Sequence, residues 1–199
     1  MQQKVYTKNH IITVFGIKGY GKSYYIKHVL LPKAQFQKRI IIDFTGEYAP
    51  YGEVFTTPQS AIAYIITKRN QEIQEHKNVN YSAVCQFRDM EDYKLMFAAI
   101  VELDNYTLVL DEIFMFIGVN RYDENLYNLY NLSRHSNANL IAASRRPAQV
   151  GRIVTSQSDK VIVFRLKEPA DLEYIAKFSS KETAQAVSRL PKEKYITIT

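Results

Sequence analysis

Residues 16–23 read Gly-Ile-Lys-Gly-Tyr-Gly-Lys-Ser, and no other stretch of the chain constrains its fold as strongly. The stretch follows an apolar run at residues 11–15 and precedes a predicted helix at residues 22–30. Strand, glycine-rich turn and helix, in that order, form the context that a phosphate-binding loop requires. Glycines allow backbone conformations that a Cβ would obstruct, so successive N–H groups can turn towards phosphates. The stretch therefore predicts binding of a nucleoside triphosphate.

The side chains of this loop predict the cofactors ATP and Mg²⁺. Lys22 is a candidate catalytic residue, because its ammonium group can meet the β- and γ-phosphates as a point charge. The hydroxyl of Ser23 is a candidate Mg²⁺ ligand, since that ion takes oxygen donors. The positive end of the helix that starts here favours the same anion. The predicted nucleotide-binding residues are Gly16, Ile17, Lys18, Gly19, Tyr20, Gly21, Lys22, Ser23 and Tyr24.

The length and composition of the chain are consistent with one P-loop ATPase domain over residues 1–199. No apolar run approaches the roughly 18 residues of a membrane span, and residues 1–9 lack an apolar signal-peptide core. The single cysteine, Cys85, excludes an internal disulfide and is predicted to be buried. These features favour a cytoplasmic protein without a membrane span of its own. A net charge of +6 permits a polyanionic partner but does not require one.

Apolar runs alternate with stretches of helical periodicity along the whole chain. After the phosphate loop, strands are predicted at residues 39–44, 81–87, 106–110, 139–143, 160–166 and 195–199. Helices are predicted at residues 57–75, 90–103, 124–134, 170–178 and 181–189. Strands separated by helices of this length predict an α/β fold with a mainly parallel sheet and helices on both faces.

Two adjacent acids follow the predicted strand at residues 106–110. A carboxylate at the carboxyl end of a buried parallel strand opens into the crevice where such sheets bind ligands. Asp111 is predicted to hold Mg²⁺ through its water shell, and Glu112 to orient the attacking water or accept its proton. A kinase that acts on a small acceptor needs no water-activating glutamate, whereas a hydrolysing motor does. The pair therefore favours hydrolysis.

Residues 133–147 read Ser-Arg-His-Ser-Asn-Ala-Asn-Leu-Ile-Ala-Ala-Ser-Arg-Arg-Pro. An arginine, a polar turn, an apolar strand and a final Arg-Pro resemble the HerA/FtsK superfamily of P-loop DNA translocases. Residues 42–48, Ile-Asp-Phe-Thr-Gly-Glu-Tyr, resemble the HerA-type turn after the second strand. Residues 161–166 resemble the last core strand of that family, and Leu190-Pro191 its closing turn. The resemblance covers nearly the whole chain.

The resemblance implies a RecA-like (ASCE) P-loop NTPase fold, with the strand at 139–143 between the phosphate-loop strand and the Asp111 strand. It implies a ring of copies of this chain, usually hexameric, with ATP held between neighbouring subunits. Arg134 is then the candidate arginine finger that reaches a neighbour's γ-phosphate. Arg145 stands where the family has glutamine, and it can only donate hydrogen bonds whereas glutamine also accepts them. Ser144 and Arg145 are both candidates for the γ-phosphate-sensing role.

A P-loop motor domain of this size without additional domains resembles the genome-packaging ATPases of membrane-containing icosahedral viruses. That resemblance implies double-stranded DNA, bound without sequence specificity, and capsid or virion membrane proteins as partners. It also implies a location in the host cytoplasm or in association with the virion. Two alternatives remain open: a small-molecule (nucleotide) kinase, and an ATP-switched assembly factor of a secretion or conjugation machine. ATPase activity stimulated by duplex DNA would separate the three.

Overall fold

The computed structural model describes residues 10–199, so the polar segment 1–9 discussed above lies outside the described residues. The chain forms two compact units. The first comprises His10, Ala34–Asp111 and Asp123–Leu140, and the second comprises Ile11–Lys33, Glu112–Tyr122 and Ile141–Thr199.

The described residues contain eight strands and seven α-helical segments. The strands are β1 (Ile11–Phe15), β2 (Lys38–Ile42), β3 (Glu53–Phe55), β4 (Tyr81–Cys85), β5 (Thr107–Leu110), β6 (Asn139–Ser144), β7 (Lys160–Phe164) and β8 (Tyr195–Ile198). The helices are α1 (Lys22–Tyr25), α2 (Pro58–Glu75), α3 (Met90–Ile100), α4 (Glu124–Ser136), α5 (Arg152–Ser156), α6 (Pro169–Phe178) and α7 (Lys181–Ser188). None of these helices combines the length and the apolar character that crossing a bilayer demands.

The first unit contains parallel strands in the order β3-β4-β2-β5, followed by the start of β6. The isoleucines at 40, 41 and 42 are completely buried, as expected for a parallel strand covered on both faces. Helix α2 begins with Pro58 after Thr57, whose hydroxyl accepts from the N–H of Ser60. Helix α3 buries its predicted apolar stripe, which is Tyr93, Met96, Phe97 and Ile100.

The second unit contains the end of β6, then β1, β7 and β8. Strand β7 pairs parallel with β1 and antiparallel with β8. Strand β6 lies between β5 and β1, as the resemblance implied. The predicted α/β fold with a mainly parallel sheet is confirmed, and the antiparallel edge strand β8 makes the sheet mixed.

Several predicted boundaries differ from the observed ones. Strand β2 stops at Ile42 rather than residue 44, because Asp43 turns its carboxylate to the N–H groups of Glu47 and Tyr48. The predicted helix at residues 22–30 is α-helical only to Tyr25 and then continues as a π-helical turn over Ile26–Leu30. The short elements β3 and α5 were not predicted.

Candidate nucleotide-binding and catalytic site

The phosphate loop of the second unit follows strand β1. The N–H of Gly16 donates to the carbonyl of Ser144 at 3.3 Å, and the N–H of Ile17 donates to that of Arg165 at 3.0 Å. These two bonds attach the start of the loop to the ends of β6 and β7. The loop closes into α1, where the N–H of Tyr25 donates to the carbonyl of Gly21 at 2.8 Å.

The glycines of the loop adopt backbone angles that side chains disfavour. The φ angles of Gly16, Gly19 and Gly21 are 152°, 80° and 108°. A Cβ added to Gly16 would lie 2.6 Å from the Cβ of Phe164, a distance that requires something to move. A Cβ at Gly21 would lie 3.1 Å from the ring of Phe164. The glycines therefore serve both the turn and its close packing on β7.

The last lysine and the serine of the loop lie at the start of helix α1. Lys22 is buried, with 9% of its surface exposed, and Ser23 follows it as the second residue of α1. Lys18 and Tyr24 are exposed. A tight glycine cradle with a buried lysine and a hydroxyl at its end is a set of donors that fits a polyphosphate. The residues present therefore fit the triphosphate that the sequence predicted.

Tyr20 carries contacts that the sequence did not predict. The Arg165 guanidinium carbon lies 5.8 Å from the centre of the Tyr20 ring, and its Nη1 donates to the Tyr20 hydroxyl at 3.4 Å. The carbonyl of Tyr20 accepts from the N–H of Glu193 at 3.3 Å. These contacts hold the outer part of the loop against the segments that follow β7 and precede β8.

Glu112 forms an ion pair with Arg145 in the second unit. The Nε of Arg145 lies 3.1 Å from Oε1 of Glu112, and the Arg145 N–H donates to Oε2 at 3.4 Å. Glu112 is buried and has a left-handed backbone with a φ of 54°. Such a φ is uncommon outside glycine and often occurs at functional positions. The arginine that departs from the family pattern thus contacts the candidate catalytic base.

Ser144 and Arg146 complete this end of β6. Ser144 is fully buried, and its hydroxyl accepts from the N–H of Arg146 at 3.1 Å. Its carbonyl is the acceptor for Gly16, so one residue connects the phosphate loop with the segment that carries Arg145. The guanidinium of Arg146 lies 3.8 Å from the Glu168 carboxylate.

Asp111 belongs to the first unit, where its N–H donates to the carbonyl of Ile42 at 3.0 Å. The residue is 5% exposed, and its carboxylate accepts a hydrogen bond from the Thr45 hydroxyl at 2.6 Å. Carboxylate oxygens are donors that Mg²⁺ takes from proteins, so the Asp111 side chain is of the chemical type that the predicted ion requires. Thr45 was not among the predicted site residues, although it lies within the turn that the resemblance singled out.

Arg134 lies in the last turn of α4, which begins after the Asp123 cap and ends at Ser136, before the left-handed Asn137 with its φ of 53°. Its side chain is outside the part of the structure that is described, so its predicted role as an arginine finger stays a prediction. Cys85 is buried at the end of β4, as predicted, and burial raises the pKa of its thiol to about 12.

Solved structures similar to this chain include two viral ATPase complexes. The genome packaging NTPase B204 from Sulfolobus turreted icosahedral virus 2, in complex with AMPPCP, has a TM-score of 0.74 and 25% identity. The alignment covers 94% of this chain and 91% of B204. The B204 complex with ATP-gammaS has a TM-score of 0.75 and 24% identity, covering 95% of this chain and 91% of that chain.

A third similar structure is VirB4 of Thermoanaerobacter pseudethanolicus. It has a TM-score of 0.62 and 12% identity, covering 96% of this chain and 89% of VirB4, and this likeness shows the fold alone. No protein-family model and no curated protein sequence matches the chain. The structural neighbours of this chain are thus the genome packaging NTPase B204, along nearly the full length of both chains, and VirB4, and they support the resemblance to HerA/FtsK-type packaging ATPases that the sequence predicted.

Proposed function

We propose that the chain is an ATP-hydrolysing ring motor that translocates double-stranded DNA and packages a viral genome into a preformed capsid. The observation that carries this proposal is the similarity to B204, a genome packaging NTPase in complex with AMPPCP, over 94% of this chain. The phosphate loop with its left-handed glycines and buried Lys22 supports the nucleotide-binding part of the proposal.

In this proposal, ATP binds at the phosphate loop through the backbone N–H groups of residues 16–24. Lys22 meets the β- and γ-phosphates. Ser23 and Asp111 would hold Mg²⁺, and one or two protein oxygens beside the substrate phosphates are typical for this ion. When bound, the ion neutralises charge on the transferred phosphoryl group. The protein itself contributes the Ser23 hydroxyl and the Asp111 carboxylate as ligands.

Glu112 is the proposed group that orients the attacking water and accepts its proton. The ion pair with Arg145 holds its carboxylate in place, at 3.1 Å between Nε and Oε1. The Arg145 side chain is 50% exposed, so it is not enclosed by the core as Glu112 is. We propose that Arg145 senses the γ-phosphate where other family members use glutamine, with Ser144 tying the same strand end to the phosphate loop.

The hydrolytic step is tested with Glu112→Gln. Glutamine keeps the shape of the side chain and loses the basic oxygen, so ATP binding should stay within a few-fold of the parent. Hydrolysis should fall by about 10²–10⁴-fold, the usual contribution of a general base. The matched control is Glu173→Gln, which alters a glutamate with an exposed side chain on α6. Loss of binding together with turnover would make Glu112 a structural residue or a metal ligand.

The ring is tested with two inactive variants. An Arg134→Ala subunit should not support hydrolysis in the neighbouring subunit, while its own phosphate loop still binds ATP. A Lys22→Ala subunit should have an inactive phosphate loop but an intact Arg134. Mixed rings then contain some interfaces with an intact loop facing an intact arginine, so ATPase activity should reappear on mixing. No recovery in demonstrably mixed rings would make Arg134 a residue that acts in its own subunit.

Double-stranded DNA is the proposed polyanionic partner, contacted through its phosphates. The net charge of +6 is consistent with such contacts. DNA should therefore stimulate ATP hydrolysis irrespective of sequence, and DNA affinity should fall steeply as salt rises. A footprint with a defined sequence preference would contradict this.

The remaining parts of the proposal concern location and assembly. We propose that the protein is cytoplasmic and, if it is viral, lies in the cytoplasm of the host cell. There it associates with capsid or virion membrane proteins during packaging. The VirB4-like fold is compatible with the alternative of an ATP-switched assembly factor. Hydrolysis that duplex DNA does not stimulate would favour that alternative.

A further inference from the structure

The turn after β2 places Thr45 on the carboxylate of Asp111. The Thr45 hydroxyl donates to Oδ2 of Asp111 at 2.6 Å, a short distance typical of a hydroxyl bonded to an ionised carboxylate. The two residues lie 66 positions apart in the sequence and both belong to the first unit. The contact therefore exists only because the turn has a defined shape.

A network centred on Asp43 gives the turn that shape. Its Oδ1 accepts from the N–H of Glu47 at 3.0 Å, and its Oδ2 accepts from the N–H of Tyr48 at 2.9 Å. The side chain of Gln86 donates to the same Oδ2 at 2.7 Å. Between these anchors, Gly46 has a φ of 77°, which other residues adopt with strain.

The two aspartates that this turn contacts are buried. Asp111 is 5% exposed and Asp43 1% exposed. Tyr48 is fully buried beneath the turn, and its pKa is raised well above the usual value by burial and by the nearby carboxylates of Asp111, Glu47 and Asp43. The Tyr48 hydroxyl therefore keeps its proton at neutral pH. Thr45, in contrast, is exposed, so its side chain fills no core space that would explain the contact.

We propose that Thr45 is a positioning residue for Asp111, which fixes the rotamer of the carboxylate that binds Mg²⁺ with the nucleotide. This inference rests on the proposed role of Asp111 and adds Thr45 to the machinery of the same site. Groups that hydrogen-bond to a metal-binding side chain orient it before the metal arrives. Losing such a group usually costs about 10- to 100-fold in metal affinity or activity.

The test replaces the hydroxyl without changing the size of the side chain. The parent, Thr45→Val and Thr45→Ser are titrated with Mg²⁺ in the presence of a fluorescent ATP analogue, starting from a chelator baseline. Thr45→Val should need about tenfold or more Mg²⁺ for half-maximal tightening of nucleotide binding. Thr45→Ser, which keeps the hydroxyl, should stay within about twofold of the parent. Nucleotide binding at the chelator baseline should be equal in all three proteins.

The matched control is Thr67→Val, which removes an exposed hydroxyl of helix α2 that donates to the Ala63 carbonyl at 2.9 Å. It should behave as the parent. Thr45→Ala provides a second variant with the same expected loss, and circular dichroism checks folding of each protein. A parental Mg²⁺ dependence in folded Thr45→Val and Thr45→Ala would overturn the proposal. A parent whose nucleotide binding ignores Mg²⁺ would instead overturn the role of Asp111 itself, and the inference with it.

Discussion

The ion pair between Glu112 and Arg145 predicts a measurable coupling free energy in the nucleotide-free protein. At 3.1 Å between Nε and Oε1, an effective dielectric constant of about 20 gives a Coulomb attraction of about 5 kcal/mol. The two side chains are 9% and 50% exposed, so water screens the arginine while the carboxylate is nearly buried. Exposed pairs contribute about 0.2–1 kcal/mol and breaking a buried pair costs about 3–5 kcal/mol. We expect a coupling of about 1–2 kcal/mol, between these limits.

The coupling is measured by urea unfolding of the parent, Glu112→Gln, Arg145→Met and the double variant. The same cycle on Arg146 and Glu168 is the control, because that pair is 3.8 Å apart with side chains 46% and 57% exposed. The control coupling should stay below about 0.5 kcal/mol. A Glu112–Arg145 coupling no larger than the control would refute the inference that Arg145 holds the carboxylate.

Two further predictions follow from buried contacts. Gly16→Ala should destabilise the protein by about 1–3 kcal/mol in urea unfolding and weaken ATP binding, because the new Cβ would lie 2.6 Å from Phe164. Gly118→Ala, which meets its nearest atom at 3.4 Å, should be tolerated, and equal effects of the two changes would contradict the packing argument. The Cys85 thiol, with its pKa raised from 9.0 to about 12, should resist thiol reagents at pH 8 until denaturant is added. Because the thiol ionises at lower pH in the unfolded protein, its contribution to the free energy of unfolding should be constant below about pH 9. The free energy of unfolding should then fall as pH rises from 9.0 to about 12. Rapid labelling of the folded protein would argue against burial of the thiol.

Local chemistry made the phosphate loop predictable from sequence. Glycines, a lysine and a serine between an apolar run and a helix define a turn whose conformation depends mostly on its own residues. The apolar strands β2, β5 and β6 could also be predicted from the sequence, because strands that are buried on both faces appear as continuous apolar runs. Strand β3 was missed because its three residues are held by pairing with β4, and only Phe55 among them is buried.

Long-range contacts were beyond the reach of sequence patterns. Glu112 and Arg145 were both predicted as site residues, but 33 positions separate them and their ion pair depends on the fold. Thr45 was missed for the same reason, since its hydrogen bond to Asp111 joins residues 66 positions apart in the sequence. Residue types thus indicated candidate groups for the site, whereas contacts such as the Glu112–Arg145 ion pair depend on the fold.

The central claim is that the phosphate loop binds and hydrolyses ATP. The most direct test is steady-state phosphate release with MgATP and duplex DNA, comparing the parent with Lys22→Ala. Lys33→Ala is the control, because Lys33 is an exposed lysine of the same unit outside the loop. We expect hydrolysis by the parent and the control, and none above background by Lys22→Ala with an unchanged circular dichroism spectrum. Activity of Lys22→Ala within a few-fold of the parent would contradict the assignment of the loop.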